Sequence, residues 1–349
     1  MKRILSIIIC TGFLCTNISA QITFNIGANA NTLATAIKGT GITISNAVKT
    51  AAPPNIATFD NGSSTNIGLS KGIILSTGTV AGINGNASNS ANTNSSSPGY
   101  ALLNPLAGAP TYDASVLEFD LVTTCNTMEI QFVFGAEEYP DYVGTTFNDA
   151  FGFFISGPNP SGGNYTNENF ALVPTTNIPI SVNTINNGES NSGPCKNCAY
   201  YKDNATGNSI KYNGFTIPMT SSIKVTPGAT YHLILAVADG NDSNEDASVL
   251  ISFGGLACSS SLPVEFINFD GESSNKGNLL TWSTSSEEHN SFFNIERSFD
   301  GKTFEAAGKV PSKRNSNHAV NYEFLDKKSG SSLYPNTFYR LSQVDVNGT

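Results

Sequence analysis

The sequence predicts an all-β chain built as two successive antiparallel β-sandwiches, and three observations carry that expectation. Charged residues make up only 13% of the 349 residues while glycine occurs 32 times. Such a composition suits strands joined by many turns better than long helices, which want Ala, Leu, Glu, Lys and Arg. Apolar residues recur with a period of two in short runs, as strands with a buried face require. The texture then changes at Cys258–Pro263 (CSSSLP), a polar stretch ending in proline. A larger, jelly-roll-like unit is therefore expected over 21–258, a linker over 259–263 and a smaller unit over 264–349.

Taken in order, residues 1–20 read as a secretory signal. Lys2 and Arg3 precede an apolar run, Ile4–Leu14, and Ile18-Ser19-Ala20 ends in the small residue that signal peptidase needs, with cleavage before Gln21. Leu14 before Cys15 is bulky where a lipid-attachment signal wants a small residue, so a lipoprotein is not expected. No later stretch approaches the roughly 20 apolar residues of a membrane helix. Asn31–Lys38 is the best helix candidate, with Leu33, Ala34 and Ile37 on one face, and Gly41–Ser45, Leu69–Thr79 and Val116–Val122 read as strands. Ile83–Gly99 is nearly all small polar residues and is expected to be a mobile surface loop, with ligand contact as the alternative role.

Glu129–Ser156 is the organising stretch. Ile130, Phe132 and Phe134 share one face of a first strand, Phe151, Phe153 and Ile155 one face of a second. The loop between them carries Glu137, Glu138, Asp141, Asn148 and Asp149, so the expectation is a hairpin with an acidic turn. An irregular insertion follows Pro158 and runs through Asp203. Ser209–Ile217 and Ser222–Val225 read as short strands, and Tyr231–Ala238 is apolar on both faces, as in a strand covered on two sides. Asp239–Ala247 (DGNDSNEDA) then repeats the pattern of strand, acidic loop, strand. Beyond Pro263, short strands at Leu279–Ser283, Phe292–Arg297, Tyr322–Leu325 and Phe338–Val344, with Trp282 and Tyr339, suit a fibronectin- or immunoglobulin-like sandwich. The chain stops at Asn347-Gly348-Thr349, where a turn into another strand is expected, so this unit reads as truncated.

Removal of the signal leaves Cys125, Cys195, Cys198 and Cys258. In an exported chain four cysteines read as disulfides. Cys125 and Cys258 flank the main apolar block at strand ends and are expected to pair, leaving Cys195 with Cys198. The Cys-x-x-Cys spacing lacks the helix that a redox pair opens and the further ligands that zinc needs. Net charge is −9. Between Gln21 and Ser261 the basic residues are Lys38, Lys49, Lys71, Lys196, Lys202, Lys211 and Lys224, with no arginine. No basic stripe for a nucleic acid or an anionic membrane is available.

Clustered loop carboxylates are what a hard cation requires. Glu137, Glu138 and Asp149 on one hairpin and Asp239, Asp242 and Asp246 on another would repel one another if the two hairpins share an end, so calcium is the cofactor expected there. Glu137, Glu138, Asp149, Asp239 and Asp246 are its candidate ligands. The plain alternative is a set of solvated turn residues, since Asp239–Leu250 fails the EF-hand pattern at Asn244 and Leu250. His232 lies within a strand, where a buried, hydrogen-bonded role is expected, and no serine sits in a Gly-x-Ser-x-Gly elbow. Glu137 or Glu138 with Asp149 or Asp239 is the one carboxylate arrangement that would serve a glycosidase. Tyr139, Tyr142, Tyr200 and Tyr201 beside amide-rich loops offer rings for stacking on a sugar, or they pack under the insertion.

The motifs together resemble the choice-of-anchor L domain, a module of bacterial surface and secreted proteins. The resemblance rests on GITISN from Gly41, GLSKGIILSTG from Gly68, DASVLEFDLV from Asp113, FVFGAEEYPDYVG from Phe132 and NDAFGFFISGP from Asn148. YYKDN from Tyr200, YNGFT from Tyr212, VTPGATYHLILAVADGNDSNEDASVLI from Val225 and GGL at Gly254 follow in order. The family brings no activity or ligand with it. LPVEFINFDG from Leu262, LLTWSTSSEEHNSFFNIERSFDGKTF from Leu279 and FYRLSQVDVNG from Phe338 resemble the region that precedes the sorting signal of Bacteroidetes proteins exported by the type IX system. The expectation is a secreted or cell-surface, non-enzymatic binding or adhesion module, stabilised by calcium, with an extracellular glycan or surface protein as ligand. A structural spacer and a glycoside-acting enzyme are the alternatives.

Overall fold

Alternating apolar residues form strands in the first unit, which runs to Cys258. The computed structural model describes residues 21–259, 266–285, 287, 290–313, 316, 319–327 and 337–345. The signal segment 1–20 and residues 260–263 of the linker lie outside the described residues. In chain order the strands of the first unit are β1 (Thr23–Asn25), β2 (Ile42–Thr50), β3 (Ile56–Asp60), β4 (Gly72–Ser76), β5 (Thr111–Thr123), β6 (Thr127–Ala136), β7 (Ala150–Pro158), β8 (Asn164–Asn169), β9 (Tyr201–Asp203), β10 (Gly214–Thr216), β11 (Met219–Lys224), β12 (Thr230–Gly240) and β13 (Ala247–Cys258). One sheet is ordered β1-β3-β4-β13-β6-β10-β9, with β11 also paired to β6, and the other β2-β5-β12-β7-β8. The helix α1 (Ala30–Ile37) buries Leu33, Ala34 and Ile37 and is capped by the Asn29 side chain, which accepts from Thr32 N.

The two sheets pack face to face. Ile130, Phe132 and Phe134 of β6 meet Phe151, Phe153 and Ile155 of β7 in one core. Phe132 makes edge-on contacts with Phe151 and Phe153 at 5.1 Å between ring centroids, a geometry that adds to simple burial. Loops cover both outer faces. Ile74, Val133 and Leu250 are sealed under Ile67, Leu69, Val80, Ile83 and Tyr212. Val116, Ile234 and Ala236 lie under Leu103, with Tyr100, Leu102 and Leu106 around it. From Leu233 to Ala238, β12 therefore has no wet face, which is why that stretch carries no alternation.

Glu129–Ser156 is not a hairpin. β6 and β7 lie in different sheets, so the acidic loop is an arch from one sheet to the other. The loop from β12 to β13 crosses the same gap in the opposite sense. The arches stand side by side, because β6 pairs with β13 through Ala136 and Ala247 and β7 pairs with β12 through Ala150 and Ala238. The polar run ending at Gly99 is also tied down rather than loose. Backbone N–H groups of Thr93, Ser95 and Ser97 donate to Asp246 Oδ1, Asp113 Oδ2 and Asp113 Oδ1 at 2.8, 2.8 and 2.7 Å. Two aspartates take all three N–H groups, with Ser96 at φ 52° between the last two.

Both expected disulfides form, Cys125–Cys258 and Cys195–Cys198. The second unit contains β14 (Phe266–Ser274), β15 (Gly277–Thr284), β16 (Asn290–Ser298), β17 (Glu305–Pro311), β18 (Val320–Asp326) and β19 (Phe338–Asp345), in sheets ordered β14-β15-β18 and β17-β16-β19. Trp282 stacks on Tyr322 at 5.4 Å over a core with Leu280, Phe293 and Ile295. Tyr339 is partly buried and packs against this core.

Phe132 touches both sheets, so Phe132→Ala should destabilise the first unit by about 3–5 kcal/mol, measured by chemical denaturation. A loss under about 1 kcal/mol would contradict the face-to-face core.

Candidate functional site

Strand register carries the acidic residues into the sandwich. Glu137 directly follows the Ala136–Ala247 pair, and its N–H donates to the Asp246 carbonyl at 3.1 Å. Asp149 and Asp239 flank the Ala150–Ala238 pair on the other sheet, and Gly240 N–H donates to Asp149 Oδ1 at 2.9 Å. Glu138 begins the first arch and faces Asp149 within hydrogen-bonding reach. Asp239 and Asp246 are 0% exposed, Asp149 1%, Glu138 2% and Glu137 5%. The expected set thus does converge, but under cover of the arches rather than on a solvated turn. Two glycines permit the closeness: a Cβ on Gly78 would lie 2.0 Å from Asp246 Oδ2, and one on Gly240 2.4 Å from the Asn148 carbonyl oxygen. Asp242 stays on the rim, accepting from Asn244 N–H at 3.1 Å.

Burial leaves these groups short of partners. Glu137 Oε2, Glu138 Oε2, Asp149 Oδ2, Asp246 Oδ2 and both oxygens of Asp239 are buried with no hydrogen bond. The Thr77 hydroxyl lies beside Asp239 but takes the Ala247 N–H and turns toward its carbonyl. Desolvation is the first cause of an upward pKa at every one of the five. It raises Glu137 to about 8 and Asp246 to about 6. Glu138, Asp149 and Asp239 are pushed up as well, Glu138 and Asp239 further by the Asp149 charge and Asp149 by Asp242 and Asp246. Lys211 opposes the shift at Glu137 and Asp246. Among the described residues, no group of three or more His, Cys, Asp and Glu side chains is placed to hold a metal as it stands.

Asp246 has a second task that the sequence did not signal. With Asp113 it clamps the 93–97 backbone, and Asp113 adopts φ 49° to do so. Asn148 ties the first arch down, accepting from Asn183 N–H at 2.9 Å and donating to the Ala107 carbonyl at 3.0 Å.

The aromatic candidates separate. Tyr139 is fully buried, its hydroxyl donating to the Ile185 carbonyl at 2.7 Å, so it cannot offer a ring to a ligand. Tyr201 packs on it at 5.0 Å. Tyr142 is 39% exposed and Tyr200 is half-buried against the core. His232, expected to be buried, is half-exposed on the outer face of its sheet, with Nδ1 2.8 Å from Asp120 Oδ1 and Nε2 3.5 Å from Glu118 Oε2. Beside it runs a groove of about 410 Å³ lined by Thr50–Ala52, Ser97–Tyr100, Ala114, Val116 and Glu118. None of the five acidic candidates lines it. Reading a single strand at a time could not have joined the SSSPGY run to Glu118.

Carboxyls that hold protons more tightly folded than unfolded stabilise fully below the ordinary carboxylate range of about 4, and that contribution fades as pH rises through the folded value. In chelator, the unfolding midpoint should therefore fall from about pH 5 to about pH 8.5, the window set by Asp246 at about 6 and Glu137 at about 8. Scanning calorimetry across that range checks it; a midpoint that climbs would contradict the burial of these groups.

Among solved structures, the chain is similar to a beta-1,2-glucanase from Parabacteroides distasonis, at 10% identity and a TM-score of 0.23, over 90% of this chain and 36% of that one. It is similar also to a GH2 beta-galacturonidase from Eisenbergiella tayi, at 9% identity and a TM-score of 0.19, over 89% of this chain and 43% of that one. The chain thus spans less than half the length of either, and likenesses this slight carry no argument. No curated protein matches the chain. The Choice-of-anchor L domain family matches residues 23–257, almost the whole of the first unit. With its motifs in order along both sheets and both arches, the chain belongs to the Choice-of-anchor L domain family, a surface-associated module.

Proposed function

We propose that the chain is an exported, non-catalytic module of the bacterial surface that binds an extracellular ligand, with calcium stiffening the acidic end of its sandwich. The observation that carries this reading is the sealing of Glu137, Glu138, Asp149 and Asp239, none more than 5% exposed. A glycosidase needs two carboxyls that touch its substrate, and these four reach none. Ligand contact falls instead to the surface. Tyr142 stands out beside Phe147 at 5.8 Å, and Tyr100 walls the groove that ends at Glu118. Each pairs an aromatic ring with nearby polar groups, the combination that recognises a glycan. The second unit serves as the region that precedes a type IX sorting signal.

A glycan array probed with the full chain tests this. Binding is expected, reduced about three- to tenfold by Tyr142→Ala or Tyr100→Ala, the range of one stacked ring. Glu138→Gln should leave it intact. Absence of binding to any glycan would favour a structural spacer, and hydrolysis lost in Glu138→Gln would overturn the non-catalytic reading.

A further inference from the structure

We propose that the corner where the two arches meet holds one calcium ion between Asp149, Asp239 and Glu138, completed by neutral oxygens. The proposal rests on the calcium-stabilised reading above and narrows it from five candidate ligands to three. Three observations carry it.

The first is position. Asp149 and Asp239 flank the same cross-strand pair, Ala150–Ala238, at the end of one sheet, and Glu138 closes over them from the other arch end. Like charges set side by side on paired strands destabilise the pairing unless something comes between them. The second is the set of unpartnered atoms: Glu138 Oε2, Asp149 Oδ2, Asp239 Oδ1 and Asp239 Oδ2 are buried acceptors without a donor, on side chains 2%, 1% and 0% exposed. An ionised carboxyl accepts only, so a cation satisfies all four atoms at once. The third is the division of labour among the five. Asp246 is engaged by Thr93 N–H at 2.8 Å, Glu137 by the Asn213 amide at 3.2 Å and Asp149 by Gly240 N–H at 2.9 Å, so the division lies in charge. Lys211 further offsets the charge of this outer pair. The inner three have only other acidic groups acting on them through charge.

The donor set selects the ion. All-oxygen ligation suits a hard cation, and side chains no more than 2% exposed leave little room for magnesium, which keeps several of its waters. Calcium takes about six to eight oxygens, many of them neutral. Neutral oxygens such as the Thr77 hydroxyl beside Asp239 would complete the shell.

Calorimetric titration of the full chain with calcium chloride, after chelator treatment, should give saturable binding at one site. The unfolding midpoint of the first unit should rise about 5–10 °C at calcium a hundredfold above its Kd, with a much smaller rise in magnesium. Asp239→Asn and Asp149→Asn should each abolish the calcium response while unfolding at or above the calcium-free parent, since they remove a buried like charge without changing shape. Asp242→Asn, on the rim, should keep the response. No calcium heat and no shift in the parent, an equal shift with magnesium, or a full response in Asp239→Asn would each overturn the site. Such a failure leaves ligand binding on the glycan array untouched, whereas calcium binding with an empty array would sink the ligand reading alone.

Discussion

Everything at the acidic end of the sandwich depends on a like-charge juxtaposition that the strand register makes unavoidable. Two pairs of central strands, one in each sheet, end on alanine pairs at the same corner of the sandwich, and acidic residues follow or precede each alanine. A small side chain at Ala136, Ala150, Ala238 and Ala247 lets the sheets close there, and that closure takes the carboxyls out of water. Burying one unpaired carboxylate is costly, and burying several together is more so. The core built by Phe132, Phe134, Phe151 and Phe153 is what forces the acids into position.

The same geometry accounts for the loops. A sandwich with apolar residues on both faces of its central strands must cover its outer faces too, so long connections are pressed against the sheets. Ala91 and Ile83 are anchored inside the outer cluster, and Asp113 and Asp246 gather the N–H groups between Thr93 and Ser97. Asp246 thereby belongs to two systems, the acidic corner and the clamp on the 93–97 backbone. Small polar residues that bury little surface are held by hydrogen bonds instead of by packing.

Much of the fold was legible in the sequence. Leu33, Ala34 and Ile37 marked the helix face, and the alternation at Ile130–Phe134 and Phe151–Ile155 marked strands. The positions of Cys125 and Cys258 at strand ends marked a covalent closure. Alternation identifies a face but not a partner, however, and so a hairpin was expected where an arch exists. Instead of each other, β6 has β13 and β7 has β12 among its partners, roughly a hundred residues further along, and such pairing leaves no local trace. The burial of the acidic set was illegible for the same reason: a loop between two strands of one sheet lies at the surface, while a loop between sheets can close over its own side chains. Tyr139 takes the packed role of its two expected ones, under the insertion at Ile185. The Ser- and Asn-rich run looked mobile because its restraint, Asp113, belongs to another strand.

The Cys125–Cys258 bond carries a mechanical meaning. It joins the residue just ahead of β6 to the last residue of β13, at the end of both strands remote from the acidic corner. Tension entering the first unit from the second arrives at Cys258 and passes straight across the sulfur bridge to Cys125. The 133-residue span between them, with both arches and every candidate carboxylate, sits in a covalent loop outside the line of force. A module pulled through its C-terminal neighbour, as flow pulls a tethered surface protein, would keep that corner unloaded while β1 to β5 bear the strain.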